Sequence, residues 1–435
     1  MGRYLLTCWP FAGHISPFMS VALAFRDAGH DVAIYSGESA REAVERENIA
    51  FFPFERLSET GATSSMISMD TAAPSGRPVA GNVLQIFRDW LVETMPDQVA
   101  DLQPIVESWQ PDVIVSETAM WGPIFVLSET GRVPVAILST LLGCLVPGAD
   151  APPAGLGMAP PRSFGAKMLT KGINRGTELA GRRLRGRVNE IRADYGLPAL
   201  TMSMNRQTGR LPLYMIGSLP ELDYNRQDLP DSVRYIGPLA WHPTADMPDP
   251  EWLADLPKDR PWVHVTESTL SFGDPFVLRA GAQGLAGLPM EVILTSGRQR
   301  SIADLDLGEL APNIHAADWI NHNTLLPQCS VLVTTGGAGT VMSALRAGVP
   351  LVIIPTTWDK PDNARRIVDA GVGVRLPAKR CTPAGLRAAV GEVLSKPRYR
   401  ENAQRLAERL NAASGPTQAV ALLEELAASR MSVTR

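Results

Sequence analysis

The sequence predicts an α/β protein with two domains, each built on a parallel, doubly wound sheet. Short apolar stretches alternate with segments whose apolar residues recur at helical spacing, and both halves of the chain show this alternation. The chain has 435 residues, more than one hydrophobic core usually holds. We expect an N-terminal domain over 1–236, a proline-rich linker over 237–257 and a C-terminal domain over 258–414. A final helix, at 415–435, is expected to pack back on the first domain.

The first half opens with a strand–helix–strand unit. The apolar stretch Tyr4–Trp9 predicts a strand, residues 10–14 a loop and Pro17–Ala28 a helix. Asp31–Tyr35 is the next predicted strand, as expected of a β-α-β connection. Two further β-branched stretches continue the predicted sheet, Val113–Val115 and Val133–Leu138.

The second half repeats this pattern. Apolar runs bounded by turn residues predict the strands, and amphipathic segments predict the helices between them. The predicted strands are Trp262–Thr266, Met290–Thr295, Ile314–Ala316, Val331–Thr334 and Val349–Ile354. The predicted helices are Val277–Ala286, Val341–Ala347, Asn363–Ala370 and one or two within Arg398–Ala428.

Composition and charge argue against several classes of protein. With 41 basic and 45 acidic residues the formal net charge is −4, whereas a nucleic-acid-binding domain is usually clearly basic. The four cysteines are widely spaced without a CxxC pair, which argues against a disulfide framework or a zinc module. The longest apolar runs fall short of the ~18 residues that a membrane span requires, and Pro10 and Gly13 come too early for a signal peptide. We therefore expect a cytoplasmic protein with no nucleic-acid partner and no stable membrane insertion.

A glycine-rich loop follows the predicted strand Val331–Thr334 and leads into a helical segment. It contains Gly336, Gly337 and Gly339, with Thr340 next in the chain. Backbone N–H groups and the helix dipole at such a position favour an anion, and glycine lets a phosphate approach the backbone closely. The alternative is a purely structural turn. The loop lacks the Lys-Ser/Thr pair of a P-loop, which disfavours a nucleoside triphosphatase.

Two neighbouring segments place further polar and aromatic groups at the same predicted sheet edge. The loop after the next strand carries Asp359 and Lys360, which are suited to binding sugar hydroxyls beside a phosphate. Trp319 follows another strand and offers an aromatic face for a base. Together these segments predict a nucleotide-sugar site. A nicotinamide-dependent dehydrogenase is disfavoured, because the first loop has only Gly13 where that class has GxGxxG.

These segments resemble the nucleotide-sugar-binding region of family 1 glycosyltransferases, whose GT-B fold has two Rossmann-like domains facing a central cleft. The likeness covers residues 315–376 and points to the bacterial natural-product branch, of actinomycete and macrolide type. Gly13–Pro17 and Gly29–Val32 match the opening motif of the family, and Gly237–Leu239 matches the usual end of its N-terminal domain. Segments 58–95 and 140–215 are not covered by the likeness.

The resemblance implies an inverting, metal-independent glycosyltransferase that takes a nucleotide diphosphate sugar as co-substrate and needs no cofactor. His14 would be the general base that removes the proton of the acceptor hydroxyl, and Glu117 stands where the family usually has an aspartate that orients this histidine. Asp304-Leu305-Asp306 matches a DxD motif formally, but it lies in a predicted surface connection and we expect no metal there. The implied donor-binding residues are Thr269, Trp319, Ile320, His322, Thr335, Gly337, Gly339, Thr340, Asp359 and Lys360.

Four positions depart from the family pattern. Thr335 replaces a phosphate-binding histidine, Ser268 replaces a glycine and Lys360 replaces a glutamine. Ser343 stands where the UDP-using branch has a ribose-binding glutamate. Loss of that contact to the ribose diol is easier to tolerate with a 2′-deoxyribose, so a dTDP-sugar is favoured over a UDP-sugar.

The acceptor is expected to be a small, largely apolar natural-product aglycone. The candidate acceptor-binding residues are Met66, Phe87, Trp90 and Leu141, and these side chains could equally belong to the core. One alternative is a UDP-sugar-dependent lipid or cell-wall glycosyltransferase, whose membrane-borne acceptor would be served by the arginines between Arg182 and Arg187. Another is a non-catalytic GT-B homologue that binds or activates a partner enzyme. A homodimer is left open.

Overall fold

The protein folds into two α/β units, each built on one parallel sheet. The computed structural model describes residues 1–61, 80–131, 133–224, 226–241, 248–267, 274–297 and 300–433. The strand order is β3-β2-β1-β4-β5-β6-β7 in the first sheet and β10-β9-β8-β11-β12-β13 in the second. The strands of the first sheet are β1 Arg3–Thr7, β2 Asp31–Ser36, β3 Ala50–Pro53, β4 Val113–Glu117, β5 Val135–Ser139, β6 Tyr214–Ile216 and β7 Val233–Tyr235. Those of the second are β8 Trp262–Thr266, β9 Glu291–Thr295, β10 Ile314–Ala317, β11 Val331–Thr334, β12 Leu351–Ile353 and β13 Gly373–Arg375.

Helices connect the strands and cover the sheets. In the first unit they are α1 Ala12–Asp27, α2 Arg41–Arg46, α3 Ala80–Phe87, α4 Met95–Trp109, α5 Ser128–Thr130, α6 Phe164–Ala180, α7 Arg182–Asp194 and α8 Met204–Thr208. In the second they are α9 Trp252–Asp255, α10 Phe276–Gly284, α11 His322–Leu325, α12 Ala338–Arg346, α13 Lys360–Asp369, α14 Pro383–Ser395, α15 Arg398–Ala412 and α16 Gly415–Val433. Single turns of 3₁₀-helix lie at Glu38–Ala40, Pro220–Leu222, Ile302–Asp304, Leu326–Gln328 and Ala378–Arg380, and π-helical turns at Arg88–Val92 and Pro123–Leu127.

The central strands are buried on both faces, which is why they read as continuous apolar runs. Leu5 packs with Ile114 and Ile137 on one face of the first sheet, whereas Leu6 packs with Val115 on the opposite face. Successive side chains of a strand point to opposite faces, so a strand covered by helices on both sides must be apolar at every position. Two further cores flank the second sheet in the same way.

Each sheet has a point where the strand order reverses, between β1 and β4 in the first and between β8 and β11 in the second. In such sheets the connections after the two strands leave in opposite directions and open a crevice at the carboxyl ends, where ligands bind. The loop and helix after β1, the end of β4 and the glycine-rich loop after β11 all lie at these crevices.

The last helix, α16, returns to the first unit. Its residues Ala419, Val420 and Leu423 are buried in the same core as β1 and α1, and Glu424 accepts a hydrogen bond from His30 at 2.9 Å. None of the helices in the described part of the chain is long and apolar enough to cross a membrane.

The sequence predicted the central strands within two or three residues, but it placed the first helix too late. The structure begins α1 at Ala12, so His14 lies in the first helical turn and not in the predicted loop. Pro17 misled the prediction, because proline is a usual helix start but here lies inside the helix. Pairing with buried neighbours also extends β4 by two residues beyond the predicted Val113–Val115, so Glu117 is the last residue of a strand.

Candidate active site

His14 and Glu117 form a close pair at the crevice of the first sheet. The Nδ1 atom of His14 lies 2.8 Å from Oε1 and 3.0 Å from Oε2 of Glu117. Glu117 is completely buried and also accepts a hydrogen bond from the backbone N–H of Trp9 at 3.0 Å, whereas the His14 side chain keeps 19% exposure. A carboxylate accepts hydrogen bonds, so Nδ1 of His14 donates, and Nε2 of the neutral ring is left as a proton acceptor.

The surroundings of His14 favour its protonated form. Burial by itself lowers the pKa of His14, because an imidazolium loses water there. The charge of Glu117, its hydrogen bond and the charge of Asp359 act in the opposite direction, and together they raise the pKa of His14 above its ordinary value. Asp359 belongs to the second unit, so groups from both units converge on this histidine.

Asp359 precedes helix α13 and is tied to the glycine-rich loop. The side-chain amide of Asn363, which is completely buried, donates to Asp359 Oδ2 at 2.8 Å and to the carbonyl of Gly336 at 2.9 Å. Burial raises the pKa of Asp359, and the hydrogen bond from Asn363 and the charge of Lys360 offset this in part. Asn363 therefore fixes the distance between the carboxylate and the loop.

The glycine-rich loop combines a required glycine with two that the fold does not require. Gly336 has φ of 98°, and a Cβ there would lie 2.7 Å from Ile353. Around Gly337 and Gly339, by contrast, a Cβ would meet no described atom within 4 Å. These two glycines lie at the N-terminus of α12, whose first N–H groups have no partner within the helix. The open space in front of them is suited to a ligand.

Polar side chains around this loop differ in whether their hydrogen-bonding groups have partners in the described part of the protein. Thr335 is 2% exposed, and its hydroxyl has no hydrogen-bond partner in the described part of the chain. Lys360 is 5% exposed, and its Nζ donates to Thr356 at 3.0 Å. Thr340 is half-buried in the first turn of α12. A buried hydroxyl without a partner is unfavourable unless a ligand or water supplies one.

The predicted base-binding residues follow β10. Trp319 is half-buried, and the side chain of Ile320 is 1% exposed in the core of the second unit. His322 begins α11 and makes an edge-to-face contact with His264, the ring centres lying 5.5 Å apart. Burial, with a smaller contribution from His322, holds the pKa of His264 well below its ordinary value, so a neutral His264 supports His322.

Aromatic side chains of the first unit lie next to His14, and one from the second unit packs against them. Trp358, in the second unit, lies with its ring centre 5.6 Å from that of Trp90 and 5.7 Å from that of Phe87. Trp90 in turn lies 6.5 Å from the His14 ring, and Phe11 contacts His14 edge-to-face at 5.4 Å. We call these residues, Phe11, Phe87, Trp90 and Trp358, the aromatic cluster.

The remaining predicted site residues are less informative. Leu141 is half-buried just after β5, where its N–H donates to Ser139 at 3.2 Å. Met66, Ser268 and Thr269 lie outside the described residues.

Comparison with known proteins identifies the family. Residues 282–426 match the family model of the erythromycin biosynthesis protein CIII-like C-terminal domain. The chain is 32% identical over 428 residues to 4′-demethylrebeccamycin synthase of Lentzea aerocolonigenes, covering 98% of this chain and 99% of that protein. The protein belongs to the bacterial natural-product branch of the family 1, GT-B fold glycosyltransferases. It is a glycosyltransferase.

Solved structures of similar fold agree with this assignment. The glycosyltransferase of kitacinnamycin superimposes with a TM-score of 0.72 at 23% identity, covering 98% of each chain. The spinosyn rhamnosyltransferase SpnG, solved with thymidine diphosphate, gives a TM-score of 0.70 at 17% identity over 98% of this chain and all of that one. The two sheets described above are therefore the two domains of a GT-B fold.

The glycosyltransferase holds its two units together at a set of contacts that the sequence did not reveal. Asp362 on α13 accepts hydrogen bonds from the N–H groups of Gly155 and Gly157, at 2.6 and 2.7 Å. Gly157 has φ of 59°, and a Cβ there would lie 2.6 Å from the carbonyl oxygen of Pro361, so glycine is required. Next to them, the buried Arg366 and Asp223 form an ion pair at 3.0 Å. We call these contacts the interdomain anchor.

Sequence reasoning missed these residues for identifiable reasons. Asp362, Arg366 and Trp358 lie in the motif region, but their partners are more than 140 residues away in the sequence or belong to a segment without regular structure. Asn363 appeared only as the start of a predicted helix. Its positioning role follows from its complete burial and from its hydrogen bonds to Asp359 and Gly336, which the sequence does not show.

Proposed function

We propose that this enzyme transfers a sugar, with inversion, from a dTDP-sugar to a hydroxyl group of a small, largely apolar natural-product acceptor. The observation that carries the proposal is the His14–Glu117 pair, set at the crevice between the two units and bordered by the aromatic cluster. A non-catalytic role as a partner of another enzyme would leave this buried pair without a purpose.

In the proposed reaction, Nε2 of His14 takes the proton of the acceptor hydroxyl as its oxygen bonds to the anomeric carbon. The bond from that carbon to the diphosphate oxygen breaks, and its electron pair leaves with dTDP. Glu117 keeps the proton on Nδ1 and stabilises the imidazolium that forms. Positioned proton transfer of this kind contributes about 10² to 10⁴ in rate.

The leaving diphosphate gains charge in this step, and the second unit supplies groups to stabilise it. The N-terminus of α12 offers N–H groups and a positive dipole end in front of Gly337 and Gly339. The Thr335 hydroxyl has no partner among the described residues and is available to donate to a phosphate oxygen. Thr340, and Thr269 outside the described residues, would add further donors. The proposed step requires no metal ion and no cofactor.

The preference for a deoxyribonucleotide rests on Ser343. Its hydroxyl donates to the carbonyl of Gly339 at 3.0 Å, one turn earlier in the same helix. A short side chain engaged with its own backbone makes a poor partner for a ribose diol, in contrast to the glutamate of the UDP-using branch. The thymidine diphosphate in the structure of the spinosyn enzyme supports the same choice. Asp359 and Lys360 are proposed to face the sugar.

The acceptor class follows from the aromatic cluster. Phe11 and Trp90 lie next to the His14 ring, Trp90 with 5% exposure, and Trp358 of the second unit packs against Trp90. Trp358 has φ of 61°, a backbone conformation that costs a bulky residue about 1–2 kcal/mol and that directs this ring to the cluster. The similarity to 4′-demethylrebeccamycin synthase supports a natural product as the acceptor. Phe87 and Trp90 are therefore proposed to bind the acceptor, together with Met66 and Leu141.

A thermal-shift experiment tests the donor part of the proposal. The wild type is heated with dTDP, UDP or GDP, and a ligand at roughly 100 times its Kd should stabilise the fold by about 2.7 kcal/mol. We expect the largest shift with dTDP, and its loss in the double variant Gly339→Val/Thr340→Ala. Gly391→Val is the matched control, because a Cβ at Gly391 also meets no described atom within 4 Å but lies on α14. A shift with UDP larger than that with dTDP would contradict the donor assignment, and no shift with any nucleotide would contradict the proposed site.

A further inference from the structure

Helix α6 and the start of α7 carry a charge opposite to that of the whole chain. From Arg162 to Arg187 the sequence has one acidic residue, Glu178, whereas the complete chain has a net charge of −4. The basic residues in this segment are Arg162, Lys167, Lys171, Arg175, Arg182, Arg183, Arg185 and Arg187. Such a local excess of positive charge attracts binding partners of negative charge.

The same helix exposes large apolar side chains. Phe164 is 83% exposed, Met168 51% and Leu179 54%, whereas Thr170 is the buried residue of α6. Spacings of 4 and 11 residues keep the three apolar side chains within an arc of about 60° on a helix with 3.6 residues per turn. Leu169 is also exposed, on the flank of this arc. A cluster of this kind marks an interaction surface.

Lysine and arginine residues lie within and beside the apolar arc, without neutralising partners among the described residues. Lys171 and Arg175 lie within about 20° of Phe164 by the same helical arithmetic, and Arg182 and Arg183 follow at the end of the helix. Within the described ranges, no carboxylate lies at ion-pair distance from these four side chains. Charged and apolar groups are therefore presented together to the solvent.

Specific contacts hold this face outward. The Ser163 side chain accepts a hydrogen bond from the N–H of Ala166 and begins the helix. Lys167 pairs with Asp150 at 2.8 Å, and Asn174 donates to the carbonyl of Gly148 at 3.1 Å. The helix is thus fixed on its inner side by the segment that also carries the interdomain anchor.

We propose that α6 binds the surface of an anionic lipid bilayer. Phe164, Met168 and Leu179 enter the boundary between headgroups and acyl chains, and Lys171, Arg175, Arg182 and Arg183 bind lipid phosphates. A bilayer surface requires exposed apolar side chains and positive charge on one face of a helix, and α6 presents both. The contact is peripheral, and it is independent of which donor or acceptor the enzyme uses. It would hold the cleft near a phase in which apolar acceptors concentrate.

Co-sedimentation with lipid vesicles tests this proposal in the full-length protein. Vesicles of phosphatidylcholine are compared with vesicles of phosphatidylcholine and phosphatidylglycerol in equal parts, at low and high salt. We expect binding to the anionic vesicles only, weakened by salt. Each basic residue removed should lower the partition coefficient about fivefold, so Lys171→Gln/Arg175→Gln should lower it about 25-fold. Phe164→Ser/Met168→Ser should lower it at least about tenfold.

The control variant is Lys379→Gln/Arg380→Gln, which removes two exposed charges from the second unit. It should bind as the wild type does, and all variants should keep the wild-type unfolding temperature and nucleotide-induced shift. A wild type that stays in solution with both kinds of vesicle overturns the proposal. So does a control variant that loses as much binding as the α6 variants. Loss of a dimer in sedimentation by Phe164→Ser/Met168→Ser, without loss of vesicle binding, would also overturn it, because the face would then bind a second copy of the chain.

Discussion

The two sides of the cleft differ in how completely the protein satisfies its own polar groups. On the side of the first sheet, the Glu117 carboxylate already has partners in His14 and the N–H of Trp9. On the side of the second sheet, the Thr335 hydroxyl is buried without a described partner, and the space before Gly337 and Gly339 is open. The proposed base is thus preorganised by the fold, whereas we propose that the donor site is completed by its ligand.

The largest effect is expected when the His14 side chain is removed. His14→Ala should lower kcat by about 10² to 10⁴, because the acceptor hydroxyl loses its proton acceptor. The shift of the unfolding temperature by dTDP should be unchanged, since His14 is proposed to act on the acceptor. His30→Ala, which removes a histidine paired with Glu424 far from the cleft, is the control and should keep full activity. A His14→Ala enzyme with near wild-type kcat would contradict the proposed role.

The interdomain anchor connects the two sides, and breaking it should cost stability. Asp223→Asn leaves the buried Arg366 without its counter-ion and weakens acceptance from the N–H of Cys144 and the hydroxyl of Tyr235. We expect the free energy of unfolding to fall by about 3–5 kcal/mol. Chemical denaturation would measure this loss, and the double variant Asp223→Leu/Arg366→Leu should recover part of it. Equal losses of unfolding free energy in the single and double variants would show that the ion pair is not the source of the stability.

Glu117→Gln should affect rate more than binding. The glutamine oxygen can still accept from the N–H of Trp9, but its amide then donates to His14 Nδ1 and forces the ring proton onto Nε2. That tautomer cannot act as the base, so we expect kcat to fall about tenfold to a hundredfold. Steady-state kinetics with saturating donor would measure it, and Glu117→Asp, the residue usual in the family, is expected to keep more activity. A Glu117→Gln enzyme as fast as Glu117→Asp would contradict the orienting role.

The smallest effect is expected in the second unit, from a change at Thr335. Thr335→Val removes an unpartnered hydroxyl at nearly constant volume, so stability without nucleotide should stay the same or rise slightly. Affinity for dTDP, measured by titration calorimetry, should fall about fivefold, equivalent to about 1 kcal/mol. Thr335→His restores the residue usual in the family and is expected to bind dTDP at least as tightly as the wild type. Unchanged affinity in Thr335→Val would remove Thr335 from the donor site.

The sequence predicted structural elements correctly where burial constrains several consecutive residues. The runs at β8 and β11 were predicted at their observed bounds, because buried strands must be apolar at every position. The three-residue strands β6, β7 and β13 were not predicted, since such short segments carry no periodicity and are fixed by pairing with a preceding strand.

Part of the candidate site was also predictable from the sequence. The glycine-rich loop and His14 were singled out from the chain itself and from the resemblance to a family, and the structure places them at the two crevices. Trp358 and the contacts of Asp362 could not be predicted, because they depend on how two separately folded units meet. The exposed face of α6 shows a different case, in which the charge was visible in the sequence but the exposure of the large apolar side chains beside it was not.

The pH dependence of kcat/KM tests most directly whether Glu117 holds His14 as the base. Because Glu117 raises the pKa of His14, the wild type should lose activity as the pH falls through a value above the ordinary 6.5 of histidine. Removing the charge in Glu117→Gln lowers the pKa of His14, so the residual activity should persist to a lower pH. An acid limb at the same pH in both enzymes would contradict the account, because the titrating group would then not be the His14 that Glu117 contacts.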